Sequence, residues 1–469
     1  MLFSSMTFIF IFLPLLFISY FSVKKELRNT VLLIASIIFY AWGEPRYLAI
    51  MLLTIVINYL GAVLIDNYRK ADKLFLILTV IADLSFLIYF KYFNFILTNV
   101  NNIFSLNISA LNVVMPIGIS FYTFQAMSYL IDVYRKEVKV QKDIYKLSLY
   151  ICLFPQLVAG PIVKYHDVEE QINNREIDFE SISLGVKRFI IGLSKKVLIA
   201  NTMGAIADKI FIQSPDTFSH LTAWLGAVAY TFQIYFDFSG YSDMAIGLGL
   251  IFGFRFMENF NYPYISKSIT EFWRRWHISL STWFKQYVYI SLGGNRNGLF
   301  ATCRNLGIVF LLTGIWHGAS WNFIVWGIWH GFFIILEKIY NIKEFEKQKH
   351  KIQTEVLMHL YCIFVFVIGW IFFRADNLHY ALKYLANMFG ILRVCPDDVI
   401  FSNWYYLGTF ETIAFVAAIL CSVPIFKNML FVKSEIARIG VNVWLLVLFF
   451  FSTLFIAVGT YNPFIYFRF

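Results

Sequence analysis

The segment Asn305–Leu336, with the sequence NLGIVFLLTGIWHGASWNFIVWGIWHGFFIIL, contains no Asp, Glu, Lys or Arg in 32 residues. A helix needs about 20 mostly apolar residues to cross the hydrocarbon core of a bilayer, so this segment is long enough to reach membrane depth. Gly314, Gly318 and Ser320 indicate a break in the helix, and broken backbone at that depth is tolerated only where protein or water covers it. The segment therefore predicts membrane helices with an interruption beside His317.

The rest of the chain has the same apolar character. Of its 469 residues, 59% are hydrophobic and 14% are charged, whereas about 25% of the residues in soluble domains are charged. Apolar runs recur from Met6–Val23 to Val441–Thr460, and about eleven to thirteen of them qualify as transmembrane or re-entrant helices if short and broken runs are included. We expect an all-α integral membrane protein that forms one polytopic domain over residues 1–469, because no polar stretch is long enough for a separate soluble core.

The distribution of basic residues predicts the orientation of the chain. The net charge is +10, and the bases near the N-terminus lie in alternate loops, at Lys24–Arg28, Asp66–Lys73 and Arg135–Lys146. Cytoplasmic loops are enriched in Lys and Arg, so we expect an extracytoplasmic N-terminus and attribute the positive charge to orientation, not to nucleic-acid binding. The basic loops lie on one side of the membrane only if the short run Asn29–Trp42 crosses it. The first run, Met6–Val23, has no basic region before it and no cleavage site after it, which predicts a retained span.

Cysteine and histidine spacing gives no sign of a metal site. The five cysteines are scattered, odd in number and without a CxxC pair, a pattern that supports neither a disulfide framework nor a zinc site. The spacings between His277, His317 and His330 match no metal-ligand motif, and the chain has no Gly-rich phosphate loop and no GxSxG elbow. We therefore expect no metal and no permanently bound cofactor.

The segment Tyr264–Ser291 mixes aromatic with charged side chains. Ser268 and Glu271 have the spacing of a capping box, which predicts the start of a helix, and the pair Gly293-Gly294 predicts its end. On one continuous helix, the spacing places His277 on an apolar face. The other members of that face are Trp273, Leu280 and Phe284.

Two interpretations of this helix stay open, and both can hold together. It can lie at the membrane surface, with Arg274, Arg275 and Lys285 turned to lipid phosphates. It can also direct His277 into a cavity where the arginines receive an anionic donor such as the phosphates of coenzyme A.

Two histidines occur within the uncharged segment, each in a Trp-His-Gly tripeptide, at Trp316–Gly318 and Trp329–Gly331. Ionisable groups at membrane depth are costly and mark candidate functional sites. The common alternative is a core histidine that bonds to a backbone carbonyl. His317 departs from that alternative more clearly than His330, because the residues around it indicate a helix break.

A further polar cluster, Tyr235–Asp243 with the sequence YFDFSGYSD, lies between two apolar runs. Its carboxylates, Asp237 and Asp243, can form a proton path or line a cavity. They can equally belong to an exposed turn that bends at Gly240. The periodicity of the sequence does not decide between these interpretations.

These residues resemble the membrane-bound O-acyltransferase (MBOAT) superfamily, and most closely its alginate O-acetyltransferase branch. The resemblance extends over nearly the whole chain, and its blocks are long and mix aromatic with polar residues, which makes it specific. The matching stretches are Met115–Tyr122, Phe154–Pro161, Tyr235–Gly247, Gly253–Asn259, Ser268–Trp283, Leu292–Arg296, Trp316–Gly318, Trp329–Gly331, Phe372–Ala375 and Asn462–Phe464.

The resemblance implies helices around a central tunnel, with the acyl donor entering from the cytoplasmic side and the acceptor outside. The superfamily's usual pair, a His in an apolar helix and an earlier His, Asn or Asp, falls on His317 and His277. We expect acetyl-coenzyme A as the donor, His317 as general base on an acceptor hydroxyl, and His277 as the group that orients the donor or stabilises the oxyanion. The other expected substrate or donor contacts are Trp273, Arg274, Arg275, Trp276, Asp237, Ser239, Tyr241, Asn322 and His330.

The resemblance also implies a partner protein outside the cytoplasm. In this branch an extracytoplasmic acetyltransferase partner, SGNH-like or AlgJ/AlgX-like, carries or hands over the acetyl group. The chain has no soluble domain of its own that would hold a long carbohydrate, which agrees with such a partner. The identity of the polysaccharide acceptor, whether alginate, cellulose, peptidoglycan or another cell-wall polymer, does not transfer with the motifs. The expected location is the bacterial plasma (inner) membrane, in contact with membrane lipid.

Two other classes of protein compete with the enzyme. A transporter or flippase of lipid-linked saccharide would use Asp237, Asp243 and the histidines as a proton relay without acyl chemistry. A structural scaffold would leave the polar clusters idle. The transporter predicts inverted repeats, which the sequence does not show, so the enzyme ranks first.

Overall fold

The structure is a computed structural model that describes residues 1–342, 351–395, 399–432, 434–459, 461–463 and 465. All regular elements of these residues are helical, which confirms the all-α prediction. The α-helices are α1 (Leu13–Ser22), α2 (Arg28–Gly43), α3 (Leu48–Asn67), α4 (Asp72–Leu87), α5 (Phe93–Phe104), α6 (Ile119–Arg135), α7 (Ile144–Cys152), α8 (Phe154–Leu157), α9 (Tyr165–Asn173), α10 (Phe179–Ser194), α11 (Asn201–Phe211), α12 (His220–Ile251), α13 (Ile269–Arg275), α14 (Ile278–Phe284), α15 (Gly298–His317), α16 (Trp321–Ile339), α17 (Ile352–Arg374), α18 (Leu378–Met388), α19 (Thr409–Cys421) and α20 (Glu435–Val458). Four π-helical segments extend or join them: Phe8–Phe12, Ile88–Tyr92, Lys195–Ala200 and Lys285–Tyr289.

Several of these helices are suited to cross a bilayer. Seven segments of the described chain are long and apolar enough: Pro45–Asn67, Asp72–Phe104, Phe179–Phe211, Gly298–His317, Trp321–Ile339, Ile352–Arg374 and Glu435–Val458. The helices Thr409–Cys421 and Pro424–Phe431 meet at 66°, a bend that is typical of a broken span or of a re-entrant loop. The chain is therefore a multi-pass membrane protein. The predicted number of eleven to thirteen segments is larger because it included shorter apolar helices such as Phe8–Ser22. The short run Asn29–Trp42 lies within α2, a helix of 16 residues.

The described chain forms two compact units, and α10 and α12 each contribute residues to both. The first unit contains Met1–Phe189 and Tyr241–Met257. In its core Tyr241 stacks on Phe3, with 4.5 Å between the ring centroids. The proposed single domain over residues 1–469 stays a prediction.

The second unit contains Ile190–Gly240 and the described residues from Glu258 onward, and its core is rich in buried aromatic side chains. Here α15 and α16 pack closely because glycines face each other. A Cβ atom on Gly314 would lie 2.5 Å from the carbonyl oxygen of Phe323, and one on Gly327 would lie 2.4 Å from that of Phe310. Small residues at a helix crossing allow the backbones to approach. The C-terminal end of α15 is thereby held beside the first turns of α16.

The cluster Tyr235–Asp243 lies inside α12, so its interpretation as an exposed turn was wrong. The residues are buried or half-buried, and α12 continues through them without a break. Gly240 does not bend the chain, and its small size matters for helix packing instead. A Cβ atom there would lie 2.7 Å from the carbonyl oxygen of Gly192, so glycine allows α12 to approach α10.

The segment Tyr264–Ser291 begins as predicted but is not one helix. The Oγ of Ser268 accepts a hydrogen bond from the backbone N–H of Glu271 at 3.0 Å, which caps α13. The helix ends at Arg275, and His277 adopts a left-handed backbone conformation, with φ 43° and ψ 56°, before α14 begins. The prediction of a continuous helix was wrong, because a capping box fixes where a helix starts and not how far it runs. The prediction that His277 lies on the apolar face of that helix was therefore also wrong.

Candidate active site

His317 is the last residue of α15 and is 4% exposed. Its imidazole contacts three aromatic rings edge-on, with centroid distances of 4.9 Å to Trp316, 4.9 Å to Trp326 and 5.0 Å to Phe373. The predicted helix break is confirmed, since Gly318 is extended and α16 begins three residues later. The break thus places an imidazole at a helix end inside an aromatic enclosure.

Asn322 fixes one wall of this enclosure through the backbone of α17. Its side-chain Nδ2 donates hydrogen bonds to the carbonyl oxygens of Phe372 at 3.1 Å and Ala375 at 2.7 Å. The last carbonyls of a helix have no partner within it, so Asn322 supplies one at the end of α17. The adjacent residue Phe373 is held against His317 by this arrangement.

His277 lies in the left-handed turn between α13 and α14 and is 1% exposed. Its Nδ1 is 3.2 Å from the Oδ1 of Asn259, and its ring contacts Phe238 at 4.6 Å and Trp316 at 6.2 Å between centroids. Its Nε2 has no hydrogen-bond partner among the described residues. The turn lies outside the seven spans, and burial lowers the pKa of His277 to about 3. The side chain is therefore a neutral imidazole with one nitrogen available.

The turn around His277 is held by backbone contacts with the preceding loop. The N–H of Ile278 donates to the carbonyl oxygen of Asn259 at 3.0 Å, and the N–H of Ser279 donates to the side-chain oxygen of Asn259 at 3.1 Å. One asparagine thus binds both the ring and the backbone of the turn. The orientation of His277 follows from this anchor and not from helical periodicity.

His330 lies in the aromatic core of the second unit and is fully buried. The indole Nε1 of Trp273 donates to its Nδ1 at 3.4 Å, and a Cβ atom on Gly369 would lie 2.5 Å from its Nε2. Trp326, one turn earlier on α16, contacts the ring at 5.2 Å between centroids. His330 therefore packs as a core residue. Its hydrogen-bond partner is an indole, whereas a core histidine was expected to bond to a backbone carbonyl.

The two adjacent arginines of α13 have different surroundings. The Nε of Arg275 donates to Glu271 at 2.8 Å and its Nη1 donates to the carbonyl oxygen of Asn261 at 3.1 Å. Arg274 is exposed. The neighbouring Trp276 is buried and contacts Trp370 at 4.8 Å between ring centroids. Arg274 can thus bind a ligand or lipid, whereas the guanidinium of Arg275 is bonded to other residues of the protein.

Both carboxylates of the α12 cluster bind cations of the protein. Lys196 Nζ lies 2.5 Å from Asp237 Oδ1, with both side chains 2% exposed, and the N–H of Ile465 donates to the other oxygen at 3.0 Å. In the first unit, Asp243 pairs with Arg188 at 2.9 Å. Such pairing is typical of structural ion pairs. It gives the proton relay of a transporter no support.

The second unit brings together most, but not all, of the expected site residues. His277, His317, His330, Trp273 and Trp276 belong to one aromatic region, joined through shared ring contacts. Ser239 is buried on α12, and Tyr241 lies in the first unit.

Three aromatic residues of this region were not predicted as site residues from the sequence: Trp326, Trp370 and Phe373. A signal for Trp326 was present, because it precedes His330 by four residues and side chains at that spacing share a helix face. The other two lie on α17, and their approach to His317 follows from the packing of α16 against α17. Residue spacing within one helix does not reveal such an approach.

The sequence is similar to known proteins over most of its length. The sequence profile described as MBOAT, membrane-bound O-acyltransferase family, matches residues 34–375, a range that includes all three histidines of the site. The "Probable alginate O-acetylase AlgI" of Pseudomonas putida is 40% identical, and the match covers 100% of both chains. The "Peptidoglycan O-acetyltransferase" of Helicobacter pylori is 38% identical over 83% of this chain and 80% of its own. The "Teichoic acid D-alanyltransferase" of Bacillus subtilis is 30% identical over 51% of this chain and 62% of its own.

Proposed function

Because this chain belongs to the membrane-bound O-acyltransferase family and is an enzyme of that class, we propose that it acetylates a polysaccharide outside the cytoplasm. The acetyl group comes from acetyl-coenzyme A on the cytoplasmic side and reaches hydroxyls of an extracellular or cell-wall polymer. Support comes from the relatives, whose names join acyl transfer to alginate, peptidoglycan and teichoic acid. The likeness to the alginate enzyme over the full length favours the acetyl group.

The chemistry that we propose starts at His317. Its imidazole takes the proton of an acceptor hydroxyl, whose oxygen attacks the carbonyl carbon of the thioester. The new C–O bond forms, the C–S bond breaks, and the sulfur leaves as a thiolate that takes up the proton held by His317, which regenerates the base. General base catalysis by a positioned histidine suits this step. The observation that carries the proposal is the buried ring of His317 at the end of an uncharged helix, inside a chain that matches O-acetyl transferases throughout.

The remaining residues have supporting roles in the proposal. The available Nε2 of His277 orients the donor or contributes to stabilising the oxyanion. Trp273 and Trp276 wall the passage of the donor, and the exposed guanidinium of Arg274 receives its phosphates. The acceptor hydroxyl belongs either to the sugar or to a Ser of the partner.

We further propose that the protein resides in the bacterial inner membrane with its N-terminus outside the cytoplasm, and that an extracytoplasmic partner completes the transfer. The alternating basic loops support the orientation. A separate partner is supported by the size of the acceptor, because a long carbohydrate needs a surface that holds it near the membrane.

The proposal is tested with purified protein and labelled acetyl-coenzyme A, by measuring coenzyme A release and label on polysaccharide with and without partner. We expect His317→Ala to lower the rate by about 10²–10⁴-fold, the usual contribution of a general base. His166→Ala is the matched control, because the His166 side chain is 70% exposed. Undiminished transfer by His317→Ala would remove the base from the mechanism. A wild-type protein that releases no coenzyme A under any condition would favour the transporter or the scaffold.

A further inference from the structure

We propose that Trp326 donates a hydrogen bond from its indole N–H to the acyl carbonyl oxygen and so stabilises the oxyanion of the transfer reaction. This inference rests on the proposed function and adds a catalytic residue to it. Three features of the second unit support this role: an indole N–H that lacks an acceptor among the described residues, the contact of that indole with His317, and the rigid setting of the helix that carries it.

The indole of Trp326 is fully buried, and its Nε1 has no hydrogen-bond partner in the part of the chain that the structure describes. Two other indoles on or beside α16 are paired. Trp329 Nε1 donates to the carbonyl oxygen of Val365 at 2.9 Å, and Trp273 Nε1 donates to His330 at 3.4 Å. The buried indole N–H of Trp370 on α17 also lacks an acceptor among the described residues, and its ring contacts His330. Trp326 combines an N–H without an acceptor with a ring contact to His317.

A buried N–H without an acceptor has a cost. An unsatisfied buried donor lowers stability, and the great majority of buried polar groups are paired for this reason. The indole nitrogen is a donor only and has no acceptor capacity. A ligand that completes the site must therefore offer an oxygen with available electron density at this point. The carbonyl oxygen of an acyl group, and still more the oxyanion formed from it, has that property.

The position of Trp326 relative to the base fits this role. Its ring contacts the ring of His317 at 4.9 Å between centroids and an interplanar angle of 86°. His317 takes the proton of the attacking hydroxyl, so the carbonyl carbon under attack lies close to the same imidazole. As the new C–O bond forms, the carbonyl electron pair moves onto its oxygen, and it returns when the C–S bond breaks. Trp316 and Trp326 both contact the ring of His317, and Trp316 also contacts His277 at 6.2 Å between centroids.

The backbone around Trp326 is held before any substrate arrives. The next residue, Gly327, packs against Gly314 of α15, so closely that a Cβ atom on either would lie 3.1–3.2 Å from the Cα of the other. Further ring contacts to Phe373 at 5.2 Å and Trp273 at 5.6 Å enclose the indole. A donor that is already oriented stabilises a developing charge without reorganisation. The setting of Trp326 meets this requirement.

The test removes the N–H with the least change of shape. Trp326 is replaced with Phe and, separately, with 3-benzothienylalanine, which substitutes sulfur for the N–H in a ring of nearly the same size. We expect kcat for coenzyme A release and for acetyl transfer to fall by about 100-fold, as on removal of one oxyanion donor. KM for acetyl-coenzyme A and the melting temperature of the benzothienylalanine variant should stay at the wild-type values. Trp329→Phe is the control on the same helix, and its kcat should match the wild type.

The outcomes separate this inference from the function on which it rests. An active wild type together with wild-type kcat in the benzothienylalanine variant overturns the role of Trp326 and leaves the proposed function intact. A loss of kcat that is matched by a raised KM or a lowered melting temperature also overturns it, because such a pattern indicates binding or structure. If wild-type protein transfers no acetyl group, the proposed function fails and the inference fails with it. If Trp326→Phe does not fold, the benzothienylalanine variant alone decides.

Discussion

Replacing Lys196 with Met leaves the carboxylate of Asp237 buried without its cation, and we expect this change to destabilise the second unit strongly. The Nζ of Lys196 lies 2.5 Å from Asp237 Oδ1, and both side chains are 2% exposed. Lys196 also donates to Asn201 Oδ1 at 2.9 Å, and Asp237 accepts from the N–H of Ile465 at 3.0 Å. The pair therefore joins the π-helical segment after α10, the middle of α12 and a residue near the C-terminus.

The expected size follows from the burial of the pair. Removing one partner of a buried ion pair costs about 3–5 kcal/mol, because the remaining charge stays desolvated. In a chain of this length, with about 2 °C per kcal/mol at the lower end of the usual scale, the melting temperature should fall by about 6–10 °C. The double variant Lys196→Met/Asp237→Asn removes both charges and should recover most of the lost stability. The effects of substitutions at the two members of one ion pair are not additive.

The assay is thermal unfolding of purified protein in detergent, in a background where Cys303, Cys395 and Cys421 are replaced with Ser. A thiol-reactive dye then reports when the buried Cys152 and Cys362 become accessible. Lys383→Met is the matched control, because Lys383 pairs with Asp216 at 3.0 Å where the side chains are 33% and 48% exposed. Such an exposed pair contributes at most about 1 kcal/mol. The reasoning is refuted if Lys196→Met lowers the melting temperature no more than Lys383→Met, or if the double variant equals the sum of its single changes.

Three further predictions follow from the site. Gly327→Ala should lower both the melting temperature and activity, because its Cβ would lie 2.4 Å from a backbone oxygen, whereas Gly307→Ala, with its nearest neighbour at 3.8 Å, should be neutral in both measurements. Arg274→Ala should raise KM for acetyl-coenzyme A and leave the melting temperature unchanged; Arg275→Ala should lower the melting temperature, and the reverse pattern would contradict the assignment of the two arginines. Burial lowers the pKa of His277 to about 3 from 6.5, so its contribution to stability is complete above pH 6.5 and is lost as the pH falls toward 3. Replacing it with Asn should therefore flatten the acid limb of the stability profile, which a melting series across pH measures.

The fold class could be predicted from the sequence because the bilayer imposes a simple requirement on length and hydropathy. The break after His317 was also predictable, since Gly314, Gly318 and Ser320 disfavour a continuous helix. The continuity of α12 through Asp237 was not, because polar residues in an apolar run resemble a loop until their partners are known. Lys196 lies far from Asp237 in sequence, and only the packed structure shows that the two charges compensate each other.

The candidate site was predictable in its residue types but not in its arrangement. His317 and His277 were identified from their settings in the sequence and from the family resemblance. The break between α13 and α14 was missed, because it is stabilised by Asn259, a residue of the preceding loop. Trp326 was missed for a related reason. An indole in a Trp-rich helix is expected to be core, and the missing acceptor is visible only when every neighbour is in place.

The handedness of the backbone at residue 277 limits the amino acids that the position can hold. With φ 43° and ψ 56°, it favours glycine, and among residues with side chains it favours Asn, Asp and His, which adopt this region several-fold more often than others. The resemblance on which the sequence-based prediction rests implies His, Asn or Asp at this point, the same three. The backbone conformation alone can therefore explain why residue 277 is restricted to a few amino acids, independently of any catalytic requirement. In a saturation library at this codon, β-branched residues should be missing already among the clones that fold.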